Sequence, residues 1–139
     1  MNTILIDTMH LVEMLKLKNE FHIELAKAIN KKKLVGVVSV VSLTELIKIL
    51  AKREKEGQAS RTIHQLTSSN LTFVDVNHSI AIRAGELRVK YDLPTVDALI
   101  AATGVAGNVK HFLTDDDHFD SVKNLIKPID LKAALKLAK

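Results

Sequence analysis

The sequence predicts an α/β fold, a three-layer α/β/α sandwich around a central parallel sheet. Short apolar runs of strand length recur along the chain, and a helical stretch follows each of them. The first two runs, "TILI" at 3–6 and "LVGVVS" at 34–39, are apolar at successive rather than alternate positions, as strands buried on both faces are. No internal repeat, low-complexity segment or Pro-, Gly- or Ser-rich linker interrupts the alternation, so one domain over residues 1–139 is expected.

After "TILI", Asp7-Thr8 offers a capping side chain to a helix that begins near Met9, and a second helical stretch runs from about Glu20 to Lys31. The strand "LVGVVS" leads into a helix from Val41 to about Lys55, with Leu43, Leu46, Ile47 and Leu50 at helical spacing and Gly57 as its stop. A helix over roughly 58–69 precedes the third strand, "LTFVDV" at 71–76. Residues 78–91 place Ile80, Ile82, Ala84, Leu87 and Val89 in a mostly helical pattern, and Pro94 opens a further helix in the tolerated first turn. That helix is apolar nearly all round from Val96 to Ala102, which predicts burial. "KHFLT" is the fourth strand, "LIKPI" at 125–129 a fifth at an edge where proline is tolerated, and 130–138 a last amphipathic helix.

Composition narrows the chemistry. The chain has 139 residues, 47% hydrophobic and 26% charged, which suits a globular protein with a substantial core. It has no cysteine, so disulfides, thiolate metal sites and cysteine nucleophiles are excluded, and any metal must use oxygen or imidazole. The first residues lack a basic n-region and no apolar run is long enough to cross a bilayer, so a cytoplasmic protein without a membrane partner is expected. Net charge is +4. The positive charge is clustered at Lys31, Lys32 and Lys33 and along one helix at Lys48, Lys52, Arg53 and Lys55, which suits either an anionic partner or a solvated surface.

Against that balance the acids stand out by position. In a parallel α/β sheet ligands bind beyond the carboxyl ends of the strands. Asp7 ends the first strand, Asp115, Asp116 and Asp117 follow the fourth, and Asp97 lies in the first turn of the buried helix. Each has an ordinary structural role available. Asp7 serves equally as a helix cap, worth about 1 kcal/mol, Asp97 as a partner of a helix dipole, worth about 0.3–1 kcal/mol, and the triplet as a loop. Glu45 falls off its helix's main apolar face, yet Val41 and Ile49 make its own stripe partly apolar, as at the wall of a groove. Taken together, acids that converge at the ends of a parallel sheet need a compensating cation, and hard cations such as Mg²⁺ and Mn²⁺ take oxygen ligands.

Four segments, "ILIDT", "SVVSLTEL", "DLPTVDALIAATG" and "FLTDDDHF", occur in an order and at separations that resemble the PIN-domain ribonucleases over nearly the whole chain. The resemblance is to their compact single-domain members, the VapC-type toxins of toxin-antitoxin pairs. It implies a PIN-like sheet sandwiched by helices and Mg²⁺- or Mn²⁺-dependent endonucleolytic cleavage of RNA by metal-activated water. It also implies a homodimer and a small antitoxin that covers the acidic site. Carried over by position, the family's acids fall on Asp7, Glu45, Asp97 and Asp116 as catalytic and metal-binding residues. Asp116 is selected by the pattern of threonine, any residue, aspartate that begins at Thr114. Asp115 and Asp117 are alternate ligands to it, and Thr114 and these neighbours can also support the ligands. The basic residues Lys31, Lys32, Lys33, Lys48, Lys52 and Arg53 would then hold the RNA backbone.

The residues also admit a non-catalytic PIN-like module that binds RNA or protein, although all four acidic positions are filled. A receiver-like phosphoacceptor fits poorly, because Asp7 is followed by Thr8 rather than a second acid. His111 and His118 bracket the aspartates but lack metal-ligand spacing, so His118 reads as a helix-start or surface residue. Ser39, Ser42 and Thr114 form no candidate triad.

Overall fold

The computed structural model describes residues 1–53 and 57–139. Its element order is β1 (Asn2–Ile6), α1 (Thr8–Lys16), α2 (Glu20–Asn30), β2 (Leu34–Ser39), α3 (Val41–Arg53), α4 (Gln58–Thr67), β3 (Thr72–Val74), α5 (His78–Tyr91), α6 (Thr95–Ala106), β4 (His111–Leu113), a 3-10 helix (Asp117–Val122), β5 (Lys127–Ile129) and α7 (Leu131–Leu137). The end expected for α3 at Lys55 lies outside the described residues.

The strands form one five-stranded sheet in the order β3-β2-β1-β4-β5, with every pair parallel. β1 is central because Ile4, Leu5 and Ile6 are apolar on both faces and fully buried. Alternation along each strand divides the core. Ile4, Ile6, Val38 and Leu113 pack with residues of α1–α4 and α7, whereas Leu5, Val37 and Phe112 pack with α5, α6 and the 3-10 helix. This is the predicted sandwich.

α6 lies hard against β1. A Cβ added at Gly104 would come within 2.6 Å of Ile126 Cδ1 and 2.9 Å of Leu5 Cδ2, so a larger residue there would force these buried side-chain ends to shift. On the same side Phe119 packs edge-to-face on Phe112, with ring centroids 4.5 Å apart. These contacts fix α6, whose first turn carries Asp97, and the 3-10 helix that follows Asp116.

Three apolar residues of the helical patterns turn outward. Ile47 is 48% exposed, Ile82 66% and Val89 89%. The inward row of α3 is Ser42, Leu46 and Leu50, and that of α5 is Ile80, Ala84 and Leu87. Each of these helices meets its neighbours along a stripe narrower than its apolar content suggests.

Candidate active site

The strand order changes direction at β1: the chain first builds outward through β2 and β3, then returns to add β4 on the opposite side. Crossovers therefore diverge beyond the carboxyl ends of β1 and β4, which leaves a crevice there. A cleft of about 340 Å³ at this place is lined by Asp7, Thr8, Met9, Glu45, Ile49, Asp97, Asp115 and Asp116. All four acids singled out in the sequence reach it, each from a different element.

Asp7 leaves β1 in extended conformation and caps α1 by accepting the Thr8 amide at 2.9 Å. Its other oxygen accepts the Thr114 hydroxyl from the end of β4 at 2.6 Å. Thr114 in turn accepts the Asp116 amide at 3.1 Å, so one buried hydroxyl sets both acids. Glu45, on the second turn of α3, accepts the Thr8 hydroxyl at 2.7 Å. Asp97 enters from the first turn of α6, where Pro94 precedes the helix. Asp116 caps the 3-10 helix by accepting the His118 amide at 2.9 Å.

The triplet separates by direction. Asp115, which also lines the cleft, has its carboxylate 3.2 Å from His10 Nε2 but out of hydrogen-bond alignment. Behind it, His10 Nδ1 meets His22 Nε2 at 3.0 Å in a buried pair. Burial, with the His10 ring second, holds the His22 imidazole below its ordinary pKa. Asp117 is exposed at the start of the 3-10 helix.

His118, read from sequence as a surface residue, is exposed and yet belongs to the site. Its Nδ1 lies 3.4 Å from Asp97 and 3.3 Å from Asp116. Among the described residues, the donor atoms of Asp97, Asp116 and His118 lie within 4.8 Å of one another. The tight wrap of a 3-10 turn is what brings a residue two positions after Asp116 back over it. Spacing alone holds no such signal without knowledge of the turn. Thr8 was also missed as a support for Glu45, although its place immediately after Asp7 was visible.

The basic residues divide. Lys48 and Lys52 share a groove with Glu45 and Ile49 on the same stripe of α3, next to the cleft. Lys31, Lys32 and Lys33 precede β2 and so lie at the amino end of the sheet, opposite the acids. Arg53 faces Lys16, Lys18 and Glu13 across a separate depression.

Two of the carboxyls show the cost of convergence. Burial lifts the Asp7 carboxyl above its ordinary pKa against the lowering by Thr114 and Thr8, and the charges of Glu45 and Asp116 add to the rise. Asp97 is raised by burial first, then by Asp116 and Asp7, with His118 opposing. A set of oxygen donors that repel one another and share one imidazole suits a hard or borderline divalent cation.

The sequence model of the PIN domain family matches residues 4–125. The chain belongs to the PIN domain family. Its structure is similar to the crystal structure of VapBC2 from Rickettsia felis bound to a DNA fragment from their promoter, at 21% identity and TM-score 0.75, covering 92% of this chain and 98% of that one. It is similar also to FitAcB from Neisseria gonorrhoeae, at 18% identity and TM-score 0.70, covering 93% and 98%. A third is Mycobacterium tuberculosis VapC20, described as a sarcin-ricin loop cleaving toxin, at 18% identity and TM-score 0.66, covering 89% and 97%. At these identities the likeness is one of fold. No curated protein sequence matches the chain.

In this PIN domain the raised Asp97 gives a stability prediction whose sign follows from linkage. A carboxyl whose folded pKa exceeds its unfolded value destabilises the fold while ionised, and the penalty is relieved as pH falls through the folded pKa. In EDTA at pH 7.5, Asp97→Asn is expected to melt about 2–5 °C above wild type, after the modest loss of negative charge at the α6 N-terminus. The gap should close toward pH 4. Adding Mn²⁺ should raise the melting temperature of wild type much more than that of the variant. Calorimetric scans across pH check this, and a variant that melts below wild type in EDTA at pH 7.5 contradicts it.

Proposed function

We propose that this chain is a divalent-metal-dependent endoribonuclease, a VapC-like toxin whose activity is restrained by a small antitoxin protein. The convergence of Asp7, Glu45, Asp97 and Asp116 from β1, α3, α6 and the end of β4 on one cleft carries this reading. The family match and the toxin-antitoxin complexes among the similar structures support it. That a structure of the same fold is a sarcin-ricin loop cleaving toxin favours RNA as the substrate.

Asp7, Asp97 and Asp116 are the proposed ligands. Bound there, Mg²⁺ or Mn²⁺ would supply an ionised water near neutral pH and positive charge against the scissile phosphate. Thr114 orients Asp7 and holds the Asp116 backbone. Glu45, with one oxygen held by Thr8 and another open to the cleft, would accept a proton from the attacking water or share in cation binding. Lys48 and Lys52 would hold the RNA backbone beside it, by charge rather than base readout. Lys31–Lys33, at the far end of the sheet, are not part of this path. Among the described residues no helix is long and apolar enough to cross a membrane. We place the activity on a single domain over residues 1–139, in a cytoplasmic protein that forms a homodimer and a complex with its antitoxin.

The decisive experiment incubates the purified chain with a structured RNA in Mn²⁺ or Mg²⁺ and in EDTA. Cleavage at discrete positions is expected with the cation, falling at least about 100-fold in EDTA. Equal cleavage in both conditions would defeat the metal-dependent reading.

A further inference from the structure

We propose that His118 is a cation ligand that tunes the site toward first-row transition-metal ions, Mn²⁺ and Co²⁺, over Mg²⁺. This rests on the metal-dependent reading above and goes beyond its four carboxylates.

The geometry is that of a donor rather than of a bystander. His118 Nδ1 stands 3.4 Å from an oxygen of Asp97 and 3.3 Å from one of Asp116, and those two residues come from different elements. Neighbouring ligands of an octahedral cation bound at roughly 2.1 Å are separated by roughly 3.0 Å, so a small inward shift completes the set. All three donor atoms already lie within 4.8 Å of one another. The backbone is anchored on both sides of the ring. Asp116 Oδ1 accepts the His118 amide at 2.9 Å, and the next residue, Phe119, is fully buried against Phe112. The backbone of His118 is thus held in place while its side chain is 61% exposed, which leaves space for the small shift.

Chemistry then decides which ion gains. Mg²⁺ favours carboxylate, carbonyl and water oxygens, whereas imidazole suits later first-row ions, and affinity at a mixed N/O site rises along that series. An all-oxygen site would leave the selectivity to size alone. Replacing one oxygen by an imidazole nitrogen shifts it toward Mn²⁺ and Co²⁺.

The test reads binding, not cleavage. Calorimetric titration of the full chain with Mn²⁺ and Mg²⁺ is compared with that of His118→Ala, an exposed substitution whose melting temperature in EDTA checks folding. Loss of about tenfold or more in Mn²⁺ affinity, with Mg²⁺ affinity within about threefold, supports the assignment. Co²⁺ serves as a spectroscopic probe. A far-downfield exchangeable ring N–H resonance in wild type, absent from His118→Ala, shows a coordinated imidazole. Unchanged or tighter binding of both cations in His118→Ala overturns the proposal and makes the ring a competitor for the site, with the carboxylate site intact. Failure of wild type to bind either cation overturns both this assignment and the metal-dependent reading.

Discussion

Asp116→Asn is expected to lower RNA cleavage about 100- to 1000-fold, while Asp115→Asn and Asp117→Asn stay within about fivefold of wild type. The three residues are adjacent and alike, so composition cannot separate them. The proposal of Asp116 rests on its carboxylate grouping with that of Asp97, its amide being held by Thr114, and its cap on the 3-10 helix. Asp115 points toward His10 with its side chain 77% exposed. Asparagine retains an oxygen that caps the His118 amide, so the fold survives and the loss reports charge rather than loop collapse. Initial rates on one structured RNA at saturating Mn²⁺ check the series. Equal losses at Asp115 and Asp116 would refute the assignment of directions.

Phe119→Ala is expected to cost about 3–5 kcal/mol, the largest effect on stability among the substitutions considered. Its ring is fully buried in a T-shaped contact with Phe112, within the core half formed by α5, α6 and Ile126. The 3-10 helix is short and has little intrinsic stability, so the surrounding shell has no independent means to close the void. The same loss loosens Asp116 and His118, three and one positions away in the turn that Phe119 anchors. Urea denaturation in EDTA gives the stability change. A cost below about 1.5 kcal/mol would show that the cavity collapses.

The alternation of strands and helices was legible because burial on both faces leaves an unbroken apolar run, and the capping aspartate and proline marked helix starts by simple chemistry. The observed strands β3, β4 and β5 are only three residues long, shorter than the runs that announced them, because only the residues in register with a partner strand join the ladder. Ile47, Ile82 and Val89 were misleading because helical spacing gives a face but not the width of the partner that covers it. Among the candidate site residues, the four acids reach one cleft because a parallel sheet gathers strand ends and helix starts. Lys31–Lys33 could have been set apart from them by the same logic, since they stand before a strand rather than after one. His118 could not, because its nearness to Asp97 depends on how a turn wraps and on how closely Gly104 lets α6 approach β1.

The position of β1 has a consequence for how this site comes into being. β1 lies between β2 and β4, and β4 is synthesised only after α6. A nascent chain that has emerged through α5 carries Asp7 and Glu45 with one flank of its first strand unpaired and without Asp97 or Asp116. The cleft is therefore a late product of translation. A chain truncated after α5 keeps two of the four acids, Asp7 and Glu45, and an open sheet edge, so a premature stop there removes the cleft rather than weakening it.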